Sequence, residues 1–128
     1  DRYQRIADAL EAAKSGDKIV VRAGKYKETL RVSRPVMIVG EGHVDDIVIE
    51  TNGRDAIIAE TEFGSITNIT IRQRGSGFWN CIDIMAGKLV VEGCKLSSAS
   101  LTCISVHHKD TKPKIRRCEI YQCAGTGV

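Results

Sequence analysis

Apolar residues in the second half of the chain fall into columns. The segments 64–73, 88–97 and 114–123 superpose so that Ile66, Val91 and Ile115 align, as do Ile69, Cys94 and Cys118, and Ile71, Leu96 and Ile120, at steps of 25 and then 24 residues. A second pattern, Ala56-Ile-Ile-Ala, Cys81-Ile-Asp-Ile and Cys103-Ile-Ser-Val, recurs between them at steps of 25 and 22, and Gly127-Val128 reads as its next copy, 24 residues on. A fixed period in the twenties predicts a solenoid, in which each unit buries its apolar face only against its neighbours. The units alternate as strands do and contain no helical stretch. Leucine-rich repeats share the period but need an L-x-x-L-x-L-x-x-N core, which is missing here. The pattern therefore predicts an all-β fold, a parallel β-helix over residues 17–128 with two or three short strands per coil and about five coils.

In front of the coils, Tyr3 to Lys14 reads as an amphipathic helix, with Ile6, Leu10 and Ala13 on one face and Arg5, Glu11 and Lys14 on the other. Asp1 is placed to cap it and Ser15-Gly16 to end it. Residues 1–16 thus form a capping helix, expected because a bare first coil would expose strand backbone and apolar surface. Strands are expected at Lys18–Arg22, Ala23–Tyr26, Thr29–Val32 and Val36–Gly42, with Pro35 at a strand start, where its missing N–H costs least. Asn52-Gly53 and Gly75-Ser-Gly77 read as turns. Phe78 and Trp79, two of the six aromatic residues, follow the second turn and are expected to pack at a coil corner. The polar run His107 to Lys114 should leave the solenoid as a loop.

Composition narrows this picture. With 42% hydrophobic but only 5% aromatic residues in 128, the chain suits one domain with a narrow core of stacked aliphatic side chains. No apolar run approaches the roughly 18 residues of a membrane span, so none is expected. The chain opens within a helix and stops within a coil, and is read as part of a longer protein. The five cysteines lack the C-x-x-C pairing of zinc sites. Cys94 and Cys118 share one inward column and Cys81 and Cys103 another, so they are read as a ladder of small apolar thiols. An odd set of unpaired thiols points to a reducing compartment, cytoplasm or nucleus.

The polar residues do not assemble a reaction centre in sequence. Asp45-Asp46 is the sole acidic pair, and Asp55 and Asp83 are placed to approach it, with Asp83 pointing outward if Ile82 and Ile84 point in. Its counterparts in adjoining coils are Ile58 and Ser105, so no carboxylate ladder of the kind that holds calcium in β-helix lyases is expected. His107 and His108 face opposite sides of an extended chain, and His43 stands alone, so all three are read as surface residues. No catalytic, metal-binding or cofactor-binding residue is therefore assigned. The net charge is +3, and Lys109, Lys112, Lys114, Arg116 and Arg117 form a local basic patch. Nucleic acid would call for a broad basic stripe with aromatic platforms, and no nucleic-acid partner is expected. Solubility suits the patch best, with an acidic protein partner or an acidic lipid surface second.

Two resemblances follow from these segments. The series Gly16-Asp17, strand, Gly24-Lys-Tyr-Lys-Glu28, strand, Arg34-Pro-Val-Met-Ile-Val-Gly-Glu-Gly42 resembles the opening coil of right-handed β-helices of the pectin-lyase-like class. This implies a right-handed single-stranded parallel β-helix. Gly40-Glu-Gly-His-Val-Asp-Asp-Ile-Val-Ile-Glu50, the coil 64–73 and Gly87-Lys-Leu-Val-Val-Glu-Gly-Cys-Lys-Leu96 look like the β-helix of the Shc-binding, spindle-associated proteins. Pro113-Lys-Ile-Arg-Arg-Cys-Glu-Ile-Tyr-Gln-Cys123 is similar to the β-helix repeats of F-box proteins, the substrate receptors of ubiquitin ligases. The resemblance implies a non-catalytic protein-interaction scaffold in the cytoplasm, at the spindle or midbody, or in the nucleus. Its partners would be cytokinesis or adaptor proteins, or degradation substrates in the F-box alternative. Weak carbohydrate binding, or a polysaccharide lyase or hydrolase, is the remaining alternative. Outward columns such as Thr70, Lys95 and Glu119 are candidate contact positions, as readily solvated as bound, and are not assigned as a site.

Overall fold

The computed structural model describes residues 5–100, 103–108 and 111–123. One short helix, α1 (Ile6–Ala12), precedes twelve described strands: β1 (Lys18–Val21), β2 (Gly24–Tyr26), β3 (Leu30–Val32), β4 (Met37–Gly40), β5 (Ile47–Thr51), β6 (Ile57–Thr67), β7 (Thr70–Gln73), β8 (Ile82–Glu92), β9 (Lys95–Ser98), β10 (Ile104–Val106), β11 (Lys114–Arg116) and β12 (Glu119–Cys123). All pairings among them are parallel. They form a seven-stranded sheet, β1-β4-β6-β8-β10 with β3 on β6 and β11 on β8, and a five-stranded sheet, β12-β9-β7-β5-β2. The chain is a parallel β-solenoid of about four turns, close to the expected count.

The sequence columns are the register. Ile19, Ile38, Ile66, Val91 and Ile115 pair in succession on one sheet, and Ile49, Ile71, Leu96 and Ile120 on the other. A third column, Leu30, Ile57, Ile82 and Ile104, runs beside the first. Most members are fully buried, each contributing about 2 kcal/mol of apolar burial. The last coil is the exception, with Ile115 38% and Ile120 50% exposed. Strands β6 and β8 are longer than expected, because each carries the chain around a corner and serves two expected strands at once. Register shifts between Ala59 and Phe63 mark that corner. Gly87 completes it: at φ +90, an added Cβ would lie 1.6 Å from the Thr61 carbonyl oxygen, so only glycine fits.

A second corner recurs at Asn68, Gly93 and Arg117, which hold φ of 60°, 65° and 51° at equivalent places in three coils. The left-handed turn swings the following residue, Ile69, Cys94 or Cys118, inward. Asn suits this conformation, and Asn68 also donates to the Gly40 and Gly42 carbonyls at 3.0 and 2.8 Å, tying its coil to the one before.

The cysteine ladder is observed in part. Cys81 and Cys94 are buried, Cys118 is half-buried, and all three are free. Burial pushes the Cys81 and Cys94 thiols up to about 12, so they pack as neutral apolar groups. Cys103 departs from the expectation in being disulfide-bonded.

Helix α1 caps the solenoid as expected, through buried Ile6, Leu10 and Ala13. The expected start at Tyr3 and the Asp1 cap lie outside the described residues. Arg5, in the N-cap position, makes no side-chain cap. Instead, the buried Glu28 carboxylate accepts from the backbone N–H groups of Ile6 and Ala7, both at 2.9 Å. A carboxylate there satisfies two orphan donors and complements the helix dipole. Glu28 therefore seats the cap on the first coil. Glu28→Ala should cost about 2 kcal/mol, lowering the melting temperature by several degrees, and Glu28→Gln, which retains one acceptor, should fall between. Thermal circular dichroism reads both, and an unchanged melting temperature in the alanine variant would show that the helix is held by its apolar face alone.

Candidate functional site

Three outward regions carry the polar chemistry. On the five-stranded sheet, Thr70, Lys95 and Glu119 stand in one column, as expected. Thr70 is nevertheless buried, because the 3-10 turn Val44–Asp46 folds over it and the Val44 carbonyl accepts its hydroxyl at 2.7 Å. The turn is fixed at its start by His43, whose Nδ1 accepts the Asp45 N–H at 3.2 Å. Lys95 then reaches across to Asp45 at 2.7 Å and to Glu119 at 4.0 Å. That hydrogen bond lowers the Asp45 carboxyl below its ordinary range and raises the Lys95 ammonium. One column further, Glu50 bonds Arg74 and lies 3.8 Å from Lys25. The Arg74 bond is the main cause that holds Glu50 low. This face neutralises its own charges.

On the seven-stranded sheet, Asp83 points outward between Ile58 and Ser105, the neighbours anticipated from the repeat. The His107 imidazole Nε2 lies 2.6 Å from its Oδ1, so this histidine bridges neighbouring coils rather than standing free in solvent. Asp55 completes the group. Its Oδ1 accepts the Asn80 N–H at 2.6 Å, and its pKa is raised, first by burial and then by the Asp83 carboxylate beside it. Asp55 and Asp83 thus lie beside each other, but they do not approach Asp45-Asp46 as expected. Asp45 does not join them, being held by Lys95 on the other sheet. A carboxyl that favours its proton, next to a second carboxylate and an imidazole, can hold and pass a proton.

At the third region the structure corrects the sequence reading. Phe78 is 84% exposed and Trp79 is also exposed, so Phe78 is not the packed corner ring expected. The turn is shaped by backbone instead. Gln73 Oε1 accepts the N–H groups of Gly53 and Gly75, its Nε2 donates to the Gly75 carbonyl, and the Trp79 N–H donates to Ser100 Oγ at 2.8 Å. Gly75 has no room for a side chain, since a Cβ would lie 2.2 Å from the Gly53 nitrogen. With the corner closed by these bonds, the rings are not required inside it.

The residues 107–113 between β10 and β11 carry no strand where they are described, in line with the expected loop. Lys112, Lys114, Arg116 and Arg117 are exposed on and beside β11, while Lys109 lies outside the described residues. Among the described residues no three His, Cys, Asp or Glu side chains are grouped to hold a metal ion, and no helix is long and apolar enough to cross a membrane. Compared with models of known protein families, with curated proteins and with solved structures, the chain matches none.

The two acid environments predict opposite titrations. Followed by carboxyl carbon NMR, Asp55 should titrate above its ordinary 3.8 and Asp45 below it. A raised folded-state pKa means that Asp55 favours folding while protonated and loses that contribution as pH rises through its folded value; Asp45 contributes above its unfolded pKa and loses it in acid. Asp83→Asn should move Asp55 down only part of the way, because burial remains. An Asp55 midpoint unmoved by Asp83→Asn would separate the two carboxyls.

Proposed function

We propose that the chain is a non-catalytic protein-interaction module of the Shc-binding, spindle-associated type, working in the cytoplasm at the spindle or midbody. The observation that carries this reading is the shared register of the parallel ladders along their straight segments, which presents outward side chains as fixed columns on a stiff prism. Such a surface binds without reordering its own backbone, which lowers the entropic cost of docking. The resemblance of residues 40–50, 64–73 and 87–96 to that family supports the class of partner, cytokinesis or phosphotyrosine-adaptor proteins. Residues 113–123 support the F-box alternative equally, in which the partner is a ubiquitin-ligase substrate.

Affinity capture of the protein from dividing cells, with mass-spectrometric identification of what co-purifies, separates these. Kinesin, Rho-regulator or Shc-adaptor partners are the expected result. Cullin-ligase core subunits would make the chain a substrate receptor, and background proteins alone would overturn the scaffold reading.

A second reading rests on Asp55, Asp83 and His107, whose geometry suits acid–base work on a sugar bond. It requires turnover of an acidic polysaccharide that Asp55→Ala abolishes. Absence of turnover, or turnover unchanged in that variant, removes it.

A further inference from the structure

The outward faces of the solenoid differ in what covers them. On the five-stranded sheet the Val44–Asp46 turn and the ion pairs of Lys95 and Glu50 close the surface. Around Asp83, the His107 ring and Asp55 do the same. Among the described residues, the face formed by β1, β4, β11 and the C-terminal halves of β6 and β8 has no such cover. It carries Val20, Met37 and Phe63, which are 47%, 39% and 52% exposed. They are three of the nine large apolar side chains that the described residues expose, and the register groups them.

Met37 lies in the outward column Lys18, Met37, Ser65, Val90 and Lys114; Val20 lies in the next, with Val39, Thr67, Glu92 and Arg116. Phe63 stands opposite Lys88, two residues before Ser65. At about 4.8 Å per strand, the apolar side chains and the two small hydroxyl residues make a continuous centre. The cations lie around it, with Lys18 at one end, Lys114 and Arg116 at the other, and Lys88 at the side. At these paired positions four cations stand against one carboxylate, Glu92, while Asp17, Arg22 and Glu41 border Lys18 and Val20; among the described residues none of the four cations is in an ion pair.

We propose that this face docks an acidic segment of a partner protein, one that carries apolar side chains among its carboxylates. The inference rests on the scaffold reading and gives it a surface and a partner chemistry. Apolar side chains of the segment cover Val20, Met37 and Phe63, a contiguous exposed apolar area of the kind that marks an interface. Its carboxylates meet Lys18, Lys88, Lys114 and Arg116 at the rim, where opposite charge steers association and fixes orientation. Ser65 and Thr67 offer hydroxyl partners to the segment's backbone in the middle of the face. A second copy of this chain is disfavoured, because stacking the face on itself brings like charges together.

The test is an NMR titration of the isotopically labelled chain with a short synthetic peptide of Asp and Glu carrying two Leu and one Phe. Its charge-reversed counterpart, with Lys at every acidic position, is the control. Shifts should cluster on β1, β4 and around Phe63, weaken with added salt, and be absent with the control. The double variant Met37→Glu, Phe63→Ser should bind at least about tenfold more weakly at an unchanged melting temperature, and Lys25→Glu on the five-stranded sheet should bind as before. Shifts on the five-stranded sheet, equal binding of the charge-reversed peptide, undiminished binding by the double variant, or no shifts at millimolar peptide would each overturn the proposal. So would shifts caused by phosphatidylserine vesicles but not by peptide, or self-association through this face. If the double variant still captures the partners found in dividing cells, this face is wrong while the scaffold reading stands.

Discussion

The structure depends on one constraint: every coil must place its inward side chains directly over those of the coil before it. Strand backbones pair in parallel only at a fixed register, and a slip of one residue would turn every Ile, Leu and Val of the rung outward. Completely buried residues such as Ile38, Ile66 and Val91 therefore act as a series of mutual guides. The corners obey the same requirement. Asn68 and Gly93 adopt a left-handed backbone, and Gly87 tolerates a carbonyl where any side chain would collide. Each lets the chain turn without shifting the register of the next strand.

Because the core fixes the backbone so fully, the outward positions are free to differ, and they do. One face is closed by a turn and its ion pairs, another holds a coupled acid–acid–imidazole group, and a third leaves apolar side chains within a cationic border. The same ladder thus offers three chemical environments at constant geometry. The two carboxyls shifted in opposite directions show how local these environments are: Asp45 has a lysine within hydrogen-bond distance, whereas Asp55 has partial burial and, after it, another carboxylate.

The later coils were legible in the sequence because their spacing is nearly constant. Ile66, Val91 and Ile115 recur at 25 and 24 residues, whereas Ile19, Ile38 and Ile66, in the same column, are separated by 19 and 28. The loop around the Val44–Asp46 turn makes up only part of that difference, and the unequal steps hide the period. Corners were less legible, since continuity of β6 and β8 depends on backbone geometry at Ala59–Phe63 and at Gly87 rather than on apolar alternation. Glu28 was visible within the Gly-Lys-Tyr-Lys-Glu motif, but its role needed the helix in place, 21 and 22 residues away. The orientation of Phe78 was misjudged because hydrophobicity does not reveal whether a turn closes through its rings or through Gln73 and its glycines. The pairing of Asp83 with His107 crosses coils and loops, where the repeat gives no spacing rule.

The first and the last described rungs are energetically unlike. At one, α1 and Glu28 cover the first rung; at the other, Ile115 and Ile120 extend their columns but remain partly in water. In a stack held by nearest-neighbour contacts, free energy of local opening is lowest where a rung has one neighbour instead of two. The amide hydrogens of β4, paired to β1 and β6, and of β5, paired to β2 and β7, are therefore released only by openings that part the stack on both sides.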